Sequence, residues 1–458
     1  MTSAFIRDRQ WFRTTDGLGV LAGSPLTQFT VTPAGSRILD ALESGAPLPH
    51  GHEPLTGRLL AVGAIHPAAV TPVEAEQVTV VVPTRISTAT GLERLQRLVD
   101  ALGQFRVIVV DDASETPVVV TGAQVVRHEH NTGPGGARNT GFGHVTTQYV
   151  AFIDDDACID SSALCMLAGH LEAGRAAMVA PRVRSSSGTG ALARYEQCHS
   201  PLDMGTHPAV VRPTSRVSYV PSAVIVARVD AMRAAHGFTE PMRIGEDVDF
   251  VWRLVESAAT VRYVPTIEAT HLPRRSPGAF VVQRFRYGTS AAALTRRHGT
   301  AASPLRTHVT MLAPLVLAAW GRIDLAAAAT VVMYAWFLFS LRSTRTSLAD
   351  RLRIITIGAR STLVSAVRAV SRTWWPIFLV LSGIFETIGM VFTVCVVVPA
   401  IVDVLRRRPK NPLAHLGLFI LDDFSYGAGV WAGAIKERSV RCMLPALTVS
   451  SRRLRSQG

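Results

Sequence analysis

Lysine is nearly missing from this chain: Lys410 and Lys436 are the two lysines in a Lys+Arg total of 47 over 458 residues. The net charge of +13 is therefore an arginine charge. Arginine's planar fork suits phosphate recognition, and a basic surplus also fits an anionic membrane or nucleic acid. That surplus falls mainly after residue 270, and residues 1–74 hold no Lys/Arg cluster, so a nucleic-acid partner is not expected. Cysteine is scarce as well. The five, at 158, 165, 198, 395 and 442, form no CxxC pair and no metal-ligand spacing. An odd, scattered set excludes a disulfide framework and points to reduced thiols in a cytoplasmic setting. No apolar stretch follows Arg7, Asp8 and Arg9, so a secretory signal is not expected. What the chain does have is length beyond one ordinary core, which predicts two or three domains.

Residues 1–74 read as a small separate unit. Residues 26–31 alternate like a strand, Thr32-Pro33 opens a helix that Gly45 ends, and a second short helix covers 55–62. Strand plus short helices fits a winged-helix-like module or a packing cap on the next domain. Residues 74–77 form the linker. From 78 the pattern becomes strand–helix alternation, with buried strands over 78–82, 107–110 and 149–153, a shorter one at 125–126, and an amphipathic helix over 92–102. Three βα units in this stretch predict an α/β domain with a doubly wound, mostly parallel sheet. A helix over 164–174 and strands over 178–181, 218–227 and 261–264 follow. Residues 184–216, rich in Ser, Gly and Pro, read as a long loop or lid.

The strand over 149–153 delivers Asp154, Asp155 and Asp156 from its C-terminal end, where open α/β sheets bind ligands. Carboxylates at alternate positions suit a hard divalent cation, Mn²⁺ or Mg²⁺, with sites left for substrate phosphates. The alternative is a turn with a helix N-cap, because aspartate is favoured in both. Asp112, at the end of the second strand, can accept from a uracil imide or a ribose hydroxyl. The glycine-rich turn at 131–141 lets backbone approach a nucleotide, and Arg138 offers donors there. Asp247, supported by Glu246, can take the proton of an acceptor hydroxyl, although acidic residues also suit the first turn of a helix. His271 follows a strand and either completes a metal shell or is a structural histidine. Arg284 and Arg286 offer charge to a leaving diphosphate.

The pieces VVPT, VVDDAS, NTGPGGARNTG, FIDDDA, GEDVDF and QRFRYG stand in the order of a family 2 glycosyltransferase of the GT-A (Rossmann-like) fold, which residues 78–290 resemble. The resemblance implies an inverting, metal-dependent transfer from a nucleoside-diphosphate sugar. It implies that Thr84, Asp112, Arg138, Asp154, Arg284 and Arg286 contact the donor, that Asp154, Asp156 and His271 hold the metal, and that Asp247 is the base. Asp155 takes no role. Processive members of the family carry QxxRW, where this chain has Tyr287 in the Trp position. The order of N-terminal module, transferase and apolar tail with DDFSYGAGVWAG at 422–433 is similar to the mycofactocin-system glycosyltransferases. That likeness implies UDP-glucose as donor, a peptide-derived acceptor and β-1,4-linked glucose. It also gives the N-terminal module a job: holding the acceptor or another maturation protein. GDP-mannose with a lipid or cell-wall glycan acceptor is the alternative. A catalytically inactive scaffold would be expected to lose the DxD pair or the base, and a nucleotidyltransferase has no use for Glu246-Asp247.

Three regions follow: 1–74, 75–300 and a hydrophobic, amphipathic helical region over 301–458. In the last, 309–320 is a short apolar run, while 325–341 and 376–402 are longer. The second of these reaches bilayer length. Between them lie Arg342, Arg345, Arg351, Arg353, Arg360, Arg368 and Arg372, and residues 354–370 read as a basic amphipathic helix. Those charges oppose two clean spans and predict peripheral attachment, monotopic or re-entrant, to the cytoplasmic side of the membrane.

Overall fold

The computed structural model describes residues 5–449 apart from 214, 275 and 343–345, so Arg345 lies outside the described residues. Its centre is a nine-stranded mixed sheet in which the strands Val78–Thr84, Arg106–Asp111, Gln124–Arg127 and Tyr149–Ile153 pair in parallel. Parallel pairing recurs between Met178–Ser185 and Val261–His271, so the expected mostly parallel sheet is interrupted by antiparallel strands rather than confined to this half. The strand Val224–Arg228 is antiparallel to both Tyr149–Ile153 and Met178–Ser185, and the short strands Ala157–Cys158 and Ala209–Val210 run antiparallel to Val261–His271. All five residues of Tyr149–Ile153 are buried because the sheet carries apolar layers on both faces. Leu95, Leu98, Leu164 and Leu167 cover one face, and Ala137, Phe250, Val251 and Trp252 the other.

Three sequence expectations need correction. The stretch read as a loop over 184–216 contains the helix Gly190–His199 and the strand Ala209–Val210. Tyr195, 1 % exposed, anchors that helix edge-on to Phe280, so tertiary burial overrides the Ser/Gly/Pro flanks. The strand expected over 218–227 begins only at Val224, and Ser218, Tyr219, Pro221, Ser222 and Ala223 line a cavity instead. The glycine-rich turn is a helix, Gly133–Gly143. Its Gly141 lies so close to Val81 and Val110 that a side chain there would displace the sheet, so this glycine serves packing rather than backbone approach to a ligand.

Residues 5–67 form a three-stranded antiparallel sheet (Trp11–Arg13, Gly19–Ala22, Thr27–Thr30), the helices Pro33–Ser44 and Glu53–Ala61, and a strand pair, Phe5–Arg7 with Ile65–Pro67. This unit is fastened to the central sheet and to the loop before Val224 by polar contacts. Arg262 donates to the carbonyls of Leu60 (2.6 Å) and Gly174 (2.8 Å), and Arg216 pairs with buried Asp8 (3.0 Å). It also meets the C-terminal region, where the guanidinium of Arg353 stacks on Phe12.

The C-terminal region is helical. Val309–Ala319, Ile323–Ser340 and Leu348–Arg368 are followed by a π-helical turn at Ala369–Thr373. The apolar run expected over 376–402 is broken at residues 383–385 into Trp375–Ser382 and Glu386–Arg407. Three segments are long and apolar enough to cross a membrane by length and composition: Ile323–Ser340, Leu348–Thr373 and Glu386–Arg407. Trp320, Val331, Val332, Val380, Ile384 and Phe385 are each more than half exposed, an apolar surface of the kind that membrane-associated helices present. The last helix, Pro412–Lys436, packs on Pro277–His298 through glycines. A Cβ on Gly288 would run into the Tyr426 carbonyl, one on Gly429 into that of Phe285, and one on Gly433 into that of Thr289. This is the contact the DDFSYGAGVWAG stretch makes. Where Glu386–Arg407 ends, Asp403 joins His199 (3.0 Å) and His415 (2.7 Å), tying the helix Gly190–His199 to the tail.

Candidate active site

The aspartate triplet is not a helix cap, because Asp160 caps the next helix by accepting from the backbone N–H of Ser162 and Ala163. The chain turns immediately after Asp154, whose carbonyl accepts from Ala157 N–H, and Ala157 then pairs with His271 across the sheet. That pairing sets His271 Nε2 3.1 Å from Asp156 Oδ2. Burial works against the Asp156 charge, but the His271 hydrogen bond, with Arg274 and Arg94 nearby, outweighs it and holds the carboxyl below its ordinary range. Asp155 points elsewhere. It accepts from the Thr84 hydroxyl and from Arg94, and burial pushes its carboxyl up.

Asp154 faces a different partner. Arg138, 3 % exposed, donates to Asp154 Oδ1 (2.7 Å) and to Glu246 Oε1 (2.9 Å), so one guanidinium joins the strand-end carboxylate to the Glu246-Asp247 pair. The helix Glu246–Glu256 begins here because Gly245 takes φ 81°, and a Cβ at that position would also crowd Ser290. Buried Asp249 locks the helix from behind through Thr239 (2.7 Å), Arg253 (2.9 Å) and His298 (2.9 Å). Burial and the neighbouring Asp247 charge push Glu246 up to about 7 against the pull of Arg138. Burial also raises Asp247, opposed by the Val248 N–H (2.8 Å) and Arg138. The two neighbouring carboxyls share their titration, and both are held above the ordinary carboxylate range.

A cavity of about 550 Å³ opens beside this pair. Arg138, Asp154, Glu246 and Asp247 line one end, and its wall carries Tyr219, Trp252, Tyr287, Tyr426 and Arg372. Arg372 and Tyr426 come from the apolar tail. The sequence reading placed Arg372 among cations outside the catalytic unit, and the structure brings it into the cavity instead. Tyr219 and Trp252 were also missed, since nothing local separates a cavity aromatic from a core one.

Other expected site residues fall out differently. Asp112 accepts from the Thr132 N–H (2.7 Å), the Gly133 N–H (2.8 Å) and His128 (2.9 Å), so its carboxylate starts the helix Gly133–Gly143 and is 5 % exposed. Burial opposes its charge, and those donors more than compensate, leaving it below the ordinary carboxylate range. Thr84 is buried against Asp155. Arg284 lines the cavity, but its charge is spent on Asp422 (3.0 Å), Glu196 (3.6 Å) and the His199 carbonyl (3.2 Å). Arg286 sits in a separate cavity with Arg274 and Val282. The two arginines are thus not brought together. Asp154 and Asp156 are close along the chain but engage different partners, Arg138 and His271.

The family model for glycosyl transferase family 2 matches residues 79–228. The pre-mycofactocin glycosyltransferase of Mycobacterium tuberculosis, from strain CDC 1551 / Oshkosh and from strain ATCC 25618 / H37Rv, is 36% identical over 452 residues, covering 94% of this chain and 95% of the relative. Among solved structures, a mannosyltransferase from Pyrobaculum calidifontis in complex with GDP-Man and Mn²⁺ covers 65% of this chain and 84% of its own, at 16% identity and a TM-score of 0.37. GalNAc-T7 with UDP, GalNAc and Mn²⁺ covers 50% and 52%, at 12% identity and a TM-score of 0.35.

Proposed function

The chain belongs to the family of the pre-mycofactocin glycosyltransferases, within glycosyl transferase family 2, and from that premise we propose that it transfers glucose from UDP-glucose to a peptide-derived acceptor, pre-mycofactocin, as β-1,4-linked units. The protein is a glycosyltransferase. The observation that carries the mechanism is the double pairing of Arg138, which holds Asp154 and the Glu246-Asp247 pair on one cavity wall. In this reading the nucleotide lies over the strand ends that carry Thr84, Asp112 and Asp154, and the acceptor fills the cavity. Asp247 accepts the proton of the acceptor hydroxyl as its oxygen bonds to the anomeric carbon. The bond from that carbon to the diphosphate oxygen breaks in line, and UDP departs with the electron pair. Glu246 keeps Arg138 aligned.

Asp156 and His271 form the donor set for Mn²⁺ or Mg²⁺: one carboxylate held ionised beside one imidazole, with Asp154 in reach of the same strand end. A cation with so few protein ligands keeps positions open for phosphate oxygens, and bound there it would neutralise charge on the leaving diphosphate. The exposed apolar helices and the arginines at 342, 351, 353, 360 and 368 support attachment to the cytoplasmic leaflet, monotopic or re-entrant.

The test is transfer itself. Full-length protein with pre-mycofactocin, Mn²⁺ and a panel of labelled UDP- and GDP-sugars is expected to transfer from UDP-glucose and to stop on chelation. Preferred transfer from GDP-mannose would overturn the donor assignment, and undiminished transfer in chelator would overturn the metal.

A further inference from the structure

Four arginines line the catalytic cavity, and three donate from their terminal guanidinium nitrogens to protein acceptors, although the Nε of Arg138 is buried without a partner among the described residues. Arg138 is divided between Asp154 and Glu246, and Arg284 between Asp422, Glu196 and a carbonyl. Arg243 donates to the side chain and the backbone carbonyl of Asn131. Arg372 differs. Its nearest carboxylate, Asp423, is 3.9 Å away and already accepts from the Ser371 hydroxyl at 2.9 Å. Its Nε is buried and, among the described residues, has no hydrogen-bond partner. Withdrawing a guanidinium N–H from water with nothing to accept it is costly, and an occupant of the cavity that brings an oxygen removes that cost.

The seat of this side chain is rigid. The π-helical turn Ala369–Thr373 carries it, and such turns recur at functional sites. Trp431 donates to the Thr373 carbonyl (2.8 Å), Trp374 donates to the Met443 carbonyl (2.7 Å), and Gly427 lets the last helix approach the Arg372 carbonyl. The guanidinium rests 4.1 Å from the centre of the Tyr426 ring. Tyr219, Tyr287 and Tyr426 line the same cavity as Asp247 and Arg372, so an occupant that reaches both groups runs along aromatic walls.

We propose that Arg372 is an acceptor-binding residue: it donates to a carbonyl or carboxylate oxygen of the acceptor while the acceptor's hydroxyl meets Asp247. The acceptor is then a molecule with two polar ends spanning an aromatic-walled cavity, and the apolar tail is part of the active site rather than only an anchor. This rests on the reading of Asp247 as the base.

Full-length wild type, Arg372→Ala and Arg372→Lys are compared with UDP-glucose and pre-mycofactocin, with KM measured separately for each substrate. Losing a charge-assisted hydrogen bond is expected to raise the acceptor KM roughly 10- to 100-fold in the alanine variant and less in the lysine variant, while the UDP-glucose KM holds within about twofold. An unchanged acceptor KM overturns the inference. A parallel rise in the donor KM also overturns it, by assigning Arg372 to the diphosphate. If Arg372→Ala does not fold, the lysine variant decides, because it keeps the charge but not the fork. Wild type that fails to transfer to pre-mycofactocin brings down the proposed function and this inference with it, and is seen without any variant.

Discussion

Asp154 and Arg372 line the same cavity but reach it by different physics. Asp154 sits one residue beyond the buried strand Tyr149–Ile153, so backbone continuity and the sheet fix where it must be. Arg372 sits in a segment of helix that composition assigns to a membrane, and tertiary contacts alone turn it inward: the glycine-mediated approach of Pro412–Lys436, and two tryptophans gripping carbonyls. Function carried at strand ends survives wide changes in what surrounds the sheet. Function carried by helix packing depends on each small residue in the contact.

The comparison breaks first at Asp247. Replacing it with Asn keeps shape and removes the base, and the loss of transfer is expected to be about 100- to 10,000-fold, with UDP-glucose affinity retained. In the wild type, transfer should rise with pH through an apparent value above the ordinary carboxylate range, because burial raises Asp247 and the deprotonated form is the active one. Single-turnover rates against pH check both. Near-normal turnover in the Asn variant would remove Asp247 from the mechanism.

How much of this was legible beforehand follows the same division. The triplet, Arg138 and Glu246-Asp247 were readable because each follows or precedes a periodic apolar run whose geometry is nearly forced. The role of Arg138 was not. That it joins Asp154 to Glu246 rather than facing solvent at the glycine-rich segment depends on residues 108 positions apart. Asp112 shows the reverse case: a carboxylate at the right strand end, taken up by the N–H groups of the helix it begins. The helix Gly190–His199 was hidden because its drive to fold is burial of Tyr195 against Phe280, which no local propensity records. The tail was legible as apolar helices and illegible as a cavity wall.

The tail half of the comparison is tested at Gly429. A leucine there meets the Phe285 carbonyl, and neither backbone can yield without parting the last helix from Pro277–His298. Overpacking of this kind costs about 1–3 kcal/mol or more, and here it should also carry Tyr426 and Arg372 away from the cavity. Gly429→Leu is therefore expected to lose acceptor affinity and lower the thermal midpoint together. By contrast Gly417, whose Cβ would meet nothing, should accept alanine with neither change. Intact acceptor affinity in Gly429→Leu would mean that the tail does not hold the cavity wall in place.

The smallest expected effect sharpens the strand-end half. Glu246→Gln keeps the hydrogen-bonding shape beside Arg138 but removes one of the two carboxylates that share the guanidinium. Two consequences act in the same direction on Asp247. A neighbouring negative charge that disfavours its ionised form is gone, and Arg138, with one anionic partner fewer, stabilises that form more strongly. The acid limb of the pH–rate profile should therefore move to lower pH by about one pH unit. The plateau should fall modestly, because the base is weaker and Arg138 is less firmly aligned. A limb that moves upward, or does not move while the plateau collapses, would transfer the proton chemistry from Asp247 to Glu246. It would leave Asp247, rather than its neighbour, as the residue that only positions.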